Sequence, residues 1–155
     1  MDLARIIRQV PDFPKPGILF YDISTILADP AAWAQAVDSV AAAVSPYRPT
    51  HVAGIESRGF LLAAPVAYKL GLGCVMIRKV GKLPGTVVSH SYDLEYGSDT
   101  LQVADGLIPE GARVVLIDDL IATGGTARAA VELLRKVGAE VPGAVFLIDL
   151  PDLEG

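Results

Sequence analysis

Val114-Val115-Leu116-Ile117-Asp118-Asp119-Leu120-Ile121-Ala122-Thr123-Gly124-Gly125-Thr126 is the stretch from which the fold can be read. Residues 113–117 are apolar without polar alternation after Arg113, the pattern of a strand covered on both faces. Beyond Thr126, the residues Ala130, Val131, Leu134 and Val137 mark a helix that ends at Gly138. Between strand and helix stand two acids, two glycines and two threonines. Paired carboxylates are costly unless hydroxyls, a cation or a developing positive charge compensate them. The small residues 122–126 leave backbone N–H groups at a helix start free to wrap a phosphate monoester. Taken singly, a glycine turn, a threonine cap and two solvated acids would explain these residues. Packed into 13 consecutive positions, they point to a ligand with hydroxyls beside a phosphate, such as a ribose 5-phosphate. No Lys follows the glycines, as a P-loop requires, and Gly71-x-Gly73 lacks the third glycine of a dinucleotide fingerprint.

The same alternation extends outward from this segment. Asp29-Pro30 reads as a helix cap with proline at the first helical position, and Trp33, Ala36, Val37, Val40, Ala41 and Val44 follow at helical spacing. Residues 51–55 read as a buried strand, 60–70 as a helix that Pro65 could kink, and 74–77 as the next strand. Residues 82–99 lack sustained periodicity, while 86–88 and 100–103 form the possible arms of a hairpin. Residues 144–148 close the pattern as another buried strand. Apolar strands alternating with helices predict an α/β fold with a central, mainly parallel sheet, which places ligands beyond the carboxyl ends of its strands.

Composition narrows the function classes. The chain has 155 residues, 52% apolar and 20% charged, enough to bury a core as one domain. Its 13 Lys and Arg against 18 Asp and Glu give a formal charge of −5, a field that disfavours general nucleic-acid binding. The longest uncharged apolar run, 59–68, is about half of the ~20 residues a membrane helix needs, so no membrane span is expected. Met1-Asp2-Leu3-Ala4-Arg5 does not begin a secretory signal. Cys74 is the single cysteine and reads as a core residue, so no intrachain disulfide is possible and a reduced, cytoplasmic protein is expected.

Charge is unevenly distributed. No acid occurs from Ser57 through Tyr92, whereas Arg58, Lys69, Arg78, Lys79 and Lys82 do. Arg58 follows the strand ending at Ile55, and Arg78 and Lys79 follow the strand ending at Ile77. These cations therefore reach the sheet edge that holds Asp118 and predict a second anion site. Lys69 reads as a surface charge, His51 as the start of a strand, and His90 as a loop histidine with no partner visible in the sequence.

The 13-residue segment resembles the phosphoribosyl-diphosphate (PRPP) motif of the type I phosphoribosyltransferase family. Four further segments resemble the adenine-using branch of that family. Glu56-Ser57-Arg58-Gly59-Phe60 is similar to its diphosphate-binding loop, and Arg78-Lys79-x-Gly81-Lys82-Leu83-Pro84-Gly85 to its next signature. Ser91-Tyr92-x-Leu94-Glu95-Tyr96-Gly97 is similar to its catalytic flexible loop. Asp12-Phe13-Pro14-x-Pro16-Gly17-Ile18-Leu19-Phe20-x-Asp22-Ile23 is similar to its base pocket. The segments occur in family order along nearly the whole chain. Tyr21 stands where many members carry Arg, and family chains usually continue past the position of Gly155.

The resemblance implies a type I phosphoribosyltransferase fold in a single domain, 1–155, with a base-pocket segment at 1–28 and a flexible catalytic loop or hairpin at 81–104. It implies conversion of adenine and PRPP to AMP and diphosphate in purine salvage, with Mg2+ carried mainly by the substrate and no confident protein ligand for the metal. A homodimer is expected, with neither nucleic acid nor membrane as partner. Asp118 and Asp119 would meet the ribose hydroxyls, and Ala122, Thr123, Gly124, Gly125 and Thr126 the 5-phosphate. Glu56, Ser57, Arg58, Gly59, Arg78, Lys79 and Lys82 would form the diphosphate side. Leu19, Phe20 and Tyr21 would contact the base, with Tyr96 over the ligand. Glu95, Arg58 and Lys79 are the expected catalytic residues, Glu95 handling the purine proton. A purine phosphoribosyltransferase acting on guanine, hypoxanthine or xanthine, and a noncatalytic PRPP-sensing domain, are the alternatives on the same scaffold.

Overall fold

The computed structural model describes residues 1–94 and 96–155, which divide into two units, 1–39 and 40–155. In the first, β1 (Arg8–Pro11) and β2 (Leu19–Asp22) pair antiparallel, with Arg8 opposite Asp22, and a short helix, α1 (Ser24–Leu27), follows. Asp22 stabilises this junction. Its carboxylate accepts from the Ser24 N–H at 2.9 Å and pairs with Arg8. The Ser24 hydrogen bonds, then Arg8, lower its pKa to about 2. The sequence analysis assigns no strands here, because β1 and β2 carry no buried/exposed alternation.

Helix α2 (Pro30–Val44) starts where the Asp29-Pro30 pair predicts. Asp29 Oδ1 accepts from the N–H groups of Ala31 and Ala32 at 3.0 and 3.1 Å, satisfying donors that have no partner within the helix. Ala36, Val40, Ala41 and Val44 are buried, as their spacing requires.

The second unit is built on six strands. These are β3 (His51–Ile55), β4 (Gly73–Lys79), β5 (Val87–Asp93), β6 (Ser98–Ala104), β7 (Arg113–Ile121) and β8 (Glu140–Asp149). Their spatial order is β5-β6-β4-β3-β7-β8. The pairs β3–β4, β3–β7 and β7–β8 are parallel, whereas β4–β6 and β5–β6 are antiparallel, giving the mainly parallel sheet expected. Helices α3 (Arg58–Leu70) and α4 (Gly125–Lys136) complete the unit. Ala129, Ala130, Leu133 and Leu134 of α4 share one cluster with Ala53, Ile55, Val75, Ile77 and Leu116. α3 packs on β3 and β7, so closely at Gly54 that an added Cβ would lie 2.9 Å from the Ala63 Cβ. Gly54 alternates with Ala53 and Ile55 along β3, so the two helices cover opposite faces of the sheet.

The structure departs from the sequence reading at the end of β7, in the hairpin and at Cys74. β7 runs past Ile117 to Ile121 because β8 continues beside it, pairing Asp118 with Phe146 and Leu120 with Ile148. The two acids therefore lie within a paired strand and not after it. The hairpin arms are longer than expected because pairing runs continuously from Val87–Ala104 to Asp93–Ser98. Cys74 is exposed, because its neighbour Val75 takes the core-facing side of the β4 alternation. Pro65 lies inside α3, which continues through it to Leu70. Among the described residues no helix is long and apolar enough to cross a membrane.

Candidate functional site

Register brings the chemistry to one sheet edge. Ile55 pairs with Ile77 and Gly54 with Ile117, so residues 56–58, just past β3, lie level with Arg78 and Lys79, which are the last residues of β4 and not beyond it, and with Asp118 and Asp119 inside β7. There a cleft of about 230 Å3 opens, lined on one side by Glu56, Arg58 and Lys79 and on the other by Asp118, Asp119 and residues 120–127. The N-terminal turn of α4 forms the floor of the second side. Gly124 caps the helix with φ 89°, a left-handed conformation that a side chain makes costly. The helix start therefore presents backbone N–H groups and the positive end of its dipole to the cleft.

The acids are held unequally. Asp119 is only 5% exposed and accepts from Arg58 Nε at 2.5 Å, while the Asp119 N–H donates to Asp118 Oδ1 at 2.9 Å. Burial, reinforced by the negative charge of Asp119, pushes the Asp118 carboxyl up to about 8 despite the opposing Arg58 charge. At neutral pH the protonated form of Asp118 is thus favoured. Gly59 permits this arrangement. A Cβ there would stand 2.9 Å from Asp118 Oδ1 and 3.1 Å from the Ile117 carbonyl oxygen, so the first turn of α3 touches the acids only because the side chain is absent.

The expected cations are matched by acids from outside the acid-free window. Arg58 pairs with Asp119, Lys79 with Asp99 on β6, and Arg78 Nε donates to Glu56 Oε1 at 3.2 Å. Glu56 Oε1 also accepts from the Lys79 N–H at 2.7 Å, and Lys82 Nζ lies 3.9 Å from Glu56 Oε2. Arg78 additionally covers the Phe60 ring at 5.7 Å. Arg58 and Lys79 thus face the cleft, whereas Arg78 and Lys82 converge on Glu56 and position its carboxylate. Ser57 occupies the N-cap position of α3 between Glu56 and Arg58.

The remaining expected site residues lie apart from this cluster in the chain. Leu19 is half-exposed, Phe20 meets Phe13 edge-on at 5.1 Å between ring centroids, and Tyr21 lies with them on β2 in the first unit. Tyr96 is 88% exposed at the turn of the β5–β6 hairpin. Glu95 lies outside the described residues.

Two residues at the site went unrecognised in the sequence. Asp99 sits opposite Tyr92 across the hairpin and is the partner of Lys79. Burial works against the Lys79 ammonium, but the Asp99 hydrogen bond and the neighbouring Tyr92 outweigh it and raise its pKa. Tyr92 reaches Thr126, its hydroxyl 3.3 Å from Oγ1. The available signal was hairpin register, since residues 92 and 99 face each other if the turn is centred on 95–96. His90, for which the sequence offered no partner, pairs with Glu132 at 2.6 Å, and Arg128 joins the same carboxylate at 3.2 Å.

Comparison with known proteins gives the same assignment as the geometry. Residues 22–154 match the family model described as a phosphoribosyl transferase domain. The adenine phosphoribosyltransferase of Rhodospirillum rubrum is 61% identical over all of this chain and 91% of its own length. The crystal structure of adenine phosphoribosyltransferase from Thermoanaerobacter pseudethanolicus superposes with a TM-score of 0.96 at 44% identity, covering 99% of this chain and 89% of that one. That from Saccharomyces cerevisiae, complexed with an imino-altritol bisphosphate and adenine, gives 0.92 at 38% identity, again covering 99% and 89%. With its cleft at the motif and relatives of this identity over its full length, the chain belongs to the adenine phosphoribosyltransferase family.

Proposed function

We propose that this protein transfers the 5-phosphoribosyl group of PRPP to adenine, giving AMP and diphosphate in purine salvage. The observation that carries the reading is the cleft itself, in which a carboxylate pair and a helix-start anion cradle share a space of about 230 Å3 with Arg58 and Lys79. Displacement at the anomeric carbon forms a bond to a purine nitrogen and breaks the bond to the diphosphate oxygen. Positive charge grows on the sugar and negative charge on the departing group, so opposite fields are needed at the two ends. Asp118, protonated, donates to one ribose hydroxyl, and Asp119 accepts from its neighbour and sets negative potential beside the sugar. Residues 122–126 hold the 5-phosphate through backbone N–H groups and the Thr123 and Thr126 hydroxyls. Arg58 and Lys79, released from Asp119 and Asp99, receive the diphosphate.

Glu95 takes the proton that the purine loses, in a step that benefits from exclusion of water. Leu19, Phe20 and Tyr21 contribute the base contacts, and Tyr96 packs over the ligand. Mg2+ belongs in this reading as a substrate-borne ion. Among the described residues no group of three or more His, Cys, Asp or Glu is arranged to hold a cation, and a cleft whose Glu56 and Asp119 carboxylates are already paired with Arg78 and Arg58 suits an ion that keeps substrate oxygens as its main ligands. When bound, it neutralises charge on the diphosphate. A cytoplasmic homodimer completes the reading, checked by sedimentation of the purified protein.

The test is product formation from adenine and PRPP with Mg2+. AMP and diphosphate in equal amounts are expected. PRPP binding without turnover would overturn the reading in favour of a sensor, and a preference for guanine, hypoxanthine or xanthine would overturn the choice of base.

A further inference from the structure

The hairpin of β5 and β6 is fastened along α4 by polar contacts at three levels. Lys136 Nζ donates to the Ser89 carbonyl oxygen at 2.7 Å at the far end of the helix. His90 meets Glu132 at 2.6 Å in its middle. Tyr92 OH meets Thr126 Oγ1 at 3.3 Å at its first turn, where the helix borders the cleft. The last level differs from the others in what it joins. Tyr92 lies directly across the hairpin from Asp99, and Asp99 holds Lys79. The residue that reaches the loop assigned to the 5-phosphate is therefore the cross-strand neighbour of the acid that holds the cation assigned to the diphosphate. It stands three residues before Glu95 in the sequence. The ring of Tyr92 packs against the main hydrophobic cluster, so the hydroxyl is delivered from a fixed base.

We propose that Tyr92 is a positioning residue for the transfer, its hydroxyl registering the hairpin, which holds Lys79 through Asp99 and leads into Glu95, against Thr126 at the first turn of α4. This rests on the reading given under the proposed function. The two ends of PRPP are gripped by elements far apart in sequence, α4 on one side and the end of β4 on the other. The proton-handling segment is a third element. A transfer step requires all three in one geometry, and a misplacement of about 1 Å is enough to cost up to ~100-fold in rate. Tyr92 is the side chain that ties the hairpin, and with it the Asp99–Lys79 pair, to the first turn of α4. Ground-state affinity for PRPP depends on backbone N–H groups, on charges and on the Thr123 and Thr126 hydroxyls, all of which a Tyr92 substitution leaves in place, so the effect should fall on turnover.

Tyr92→Phe removes the hydroxyl and keeps the ring. With wild type assayed alongside, the variant should show kcat about tenfold lower, the size of effect expected when one hydrogen bond is lost. Its KM for PRPP and for adenine should stay within about twofold, and its thermal midpoint should remain that of wild type. A variant kcat within twofold of wild type would overturn the proposal. So would a fall in kcat that merely tracks a lowered thermal midpoint, since that marks Tyr92 as a packing residue. A wild-type protein with no turnover would instead overturn the underlying reading, and the inference with it.

Discussion

Replacing Asp118 by Asn should stabilise the fold by an amount that grows with pH. In the folded protein burial and the Asp119 charge raise the Asp118 carboxyl to about 8, whereas in the unfolded chain an aspartate ionises near ~4. Between those values folding takes up a proton. The unfolded state then binds fewer protons than the native state, and stability falls as pH rises through this window. For one proton the slope is ~1.4 kcal/mol per pH unit, so between pH 5 and pH 7 wild type loses ~3 kcal/mol through this group. Asn has nearly the same shape and no proton to take up. The lowered pKa values of Asp99 and Glu132 have the opposite sign, stabilising above the unfolded value and failing in acid, but they are common to both proteins and cancel in the difference. Urea denaturation of wild type and Asp118→Asn at pH 5 and pH 7 measures the effect. The variant's advantage should increase by ~3 kcal/mol from the lower pH to the higher. A difference unchanged between the two would mean that Asp118 is ionised in the folded protein, and its description as a carboxyl kept protonated by burial would be wrong.

Further substitutions probe other parts of the site. Gly59→Ala places a Cβ 2.9 Å from Asp118 Oδ1 and 3.1 Å from a backbone oxygen. It should cost ~1–3 kcal/mol in thermal denaturation and raise the KM for PRPP about tenfold, and wild-type values for both would show that α3 has room to shift. Glu95→Ala should lower turnover at least ~100-fold, the usual scale for a lost general acid or base, with the PRPP dissociation constant within a few-fold. Unaffected turnover in a steady-state assay would remove Glu95 from the reaction.

The parallel core of the fold was legible because its strands are apolar on both faces, and only a sheet covered on both sides accommodates residues such as 52–55 and 114–117. The acids and the phosphate loop were legible because they are contiguous, so chemistry and spacing could be read from one segment. Contacts made across long sequence separations were not. Arg58 with Asp119, Lys79 with Asp99 and Arg78 with Glu56 depend on strand order and register, which composition does not encode, so the sequence showed a cluster of cations where the fold shows ion pairs. The hairpin was foreshortened for a related reason. His90 and Tyr92 make polar contacts with α4 while Ser91, Asp93 and Ser98 between and beyond them are exposed, so this pairing lacks the apolar alternation by which strands are recognised. The exposed β1–β2 pair likewise follows from its turn and the Arg8–Asp22 contact, with no core face to announce it.

The central claim is that the sugar phosphate is gripped where β7 turns into α4. The most direct measurement is a crystal structure of the protein with AMP bound. The 5-phosphate should lie within hydrogen-bonding distance of the backbone N–H groups of residues 123–126, with the ribose hydroxyls on Asp118 and Asp119. A phosphate bound anywhere else, with this turn untouched, would contradict the account.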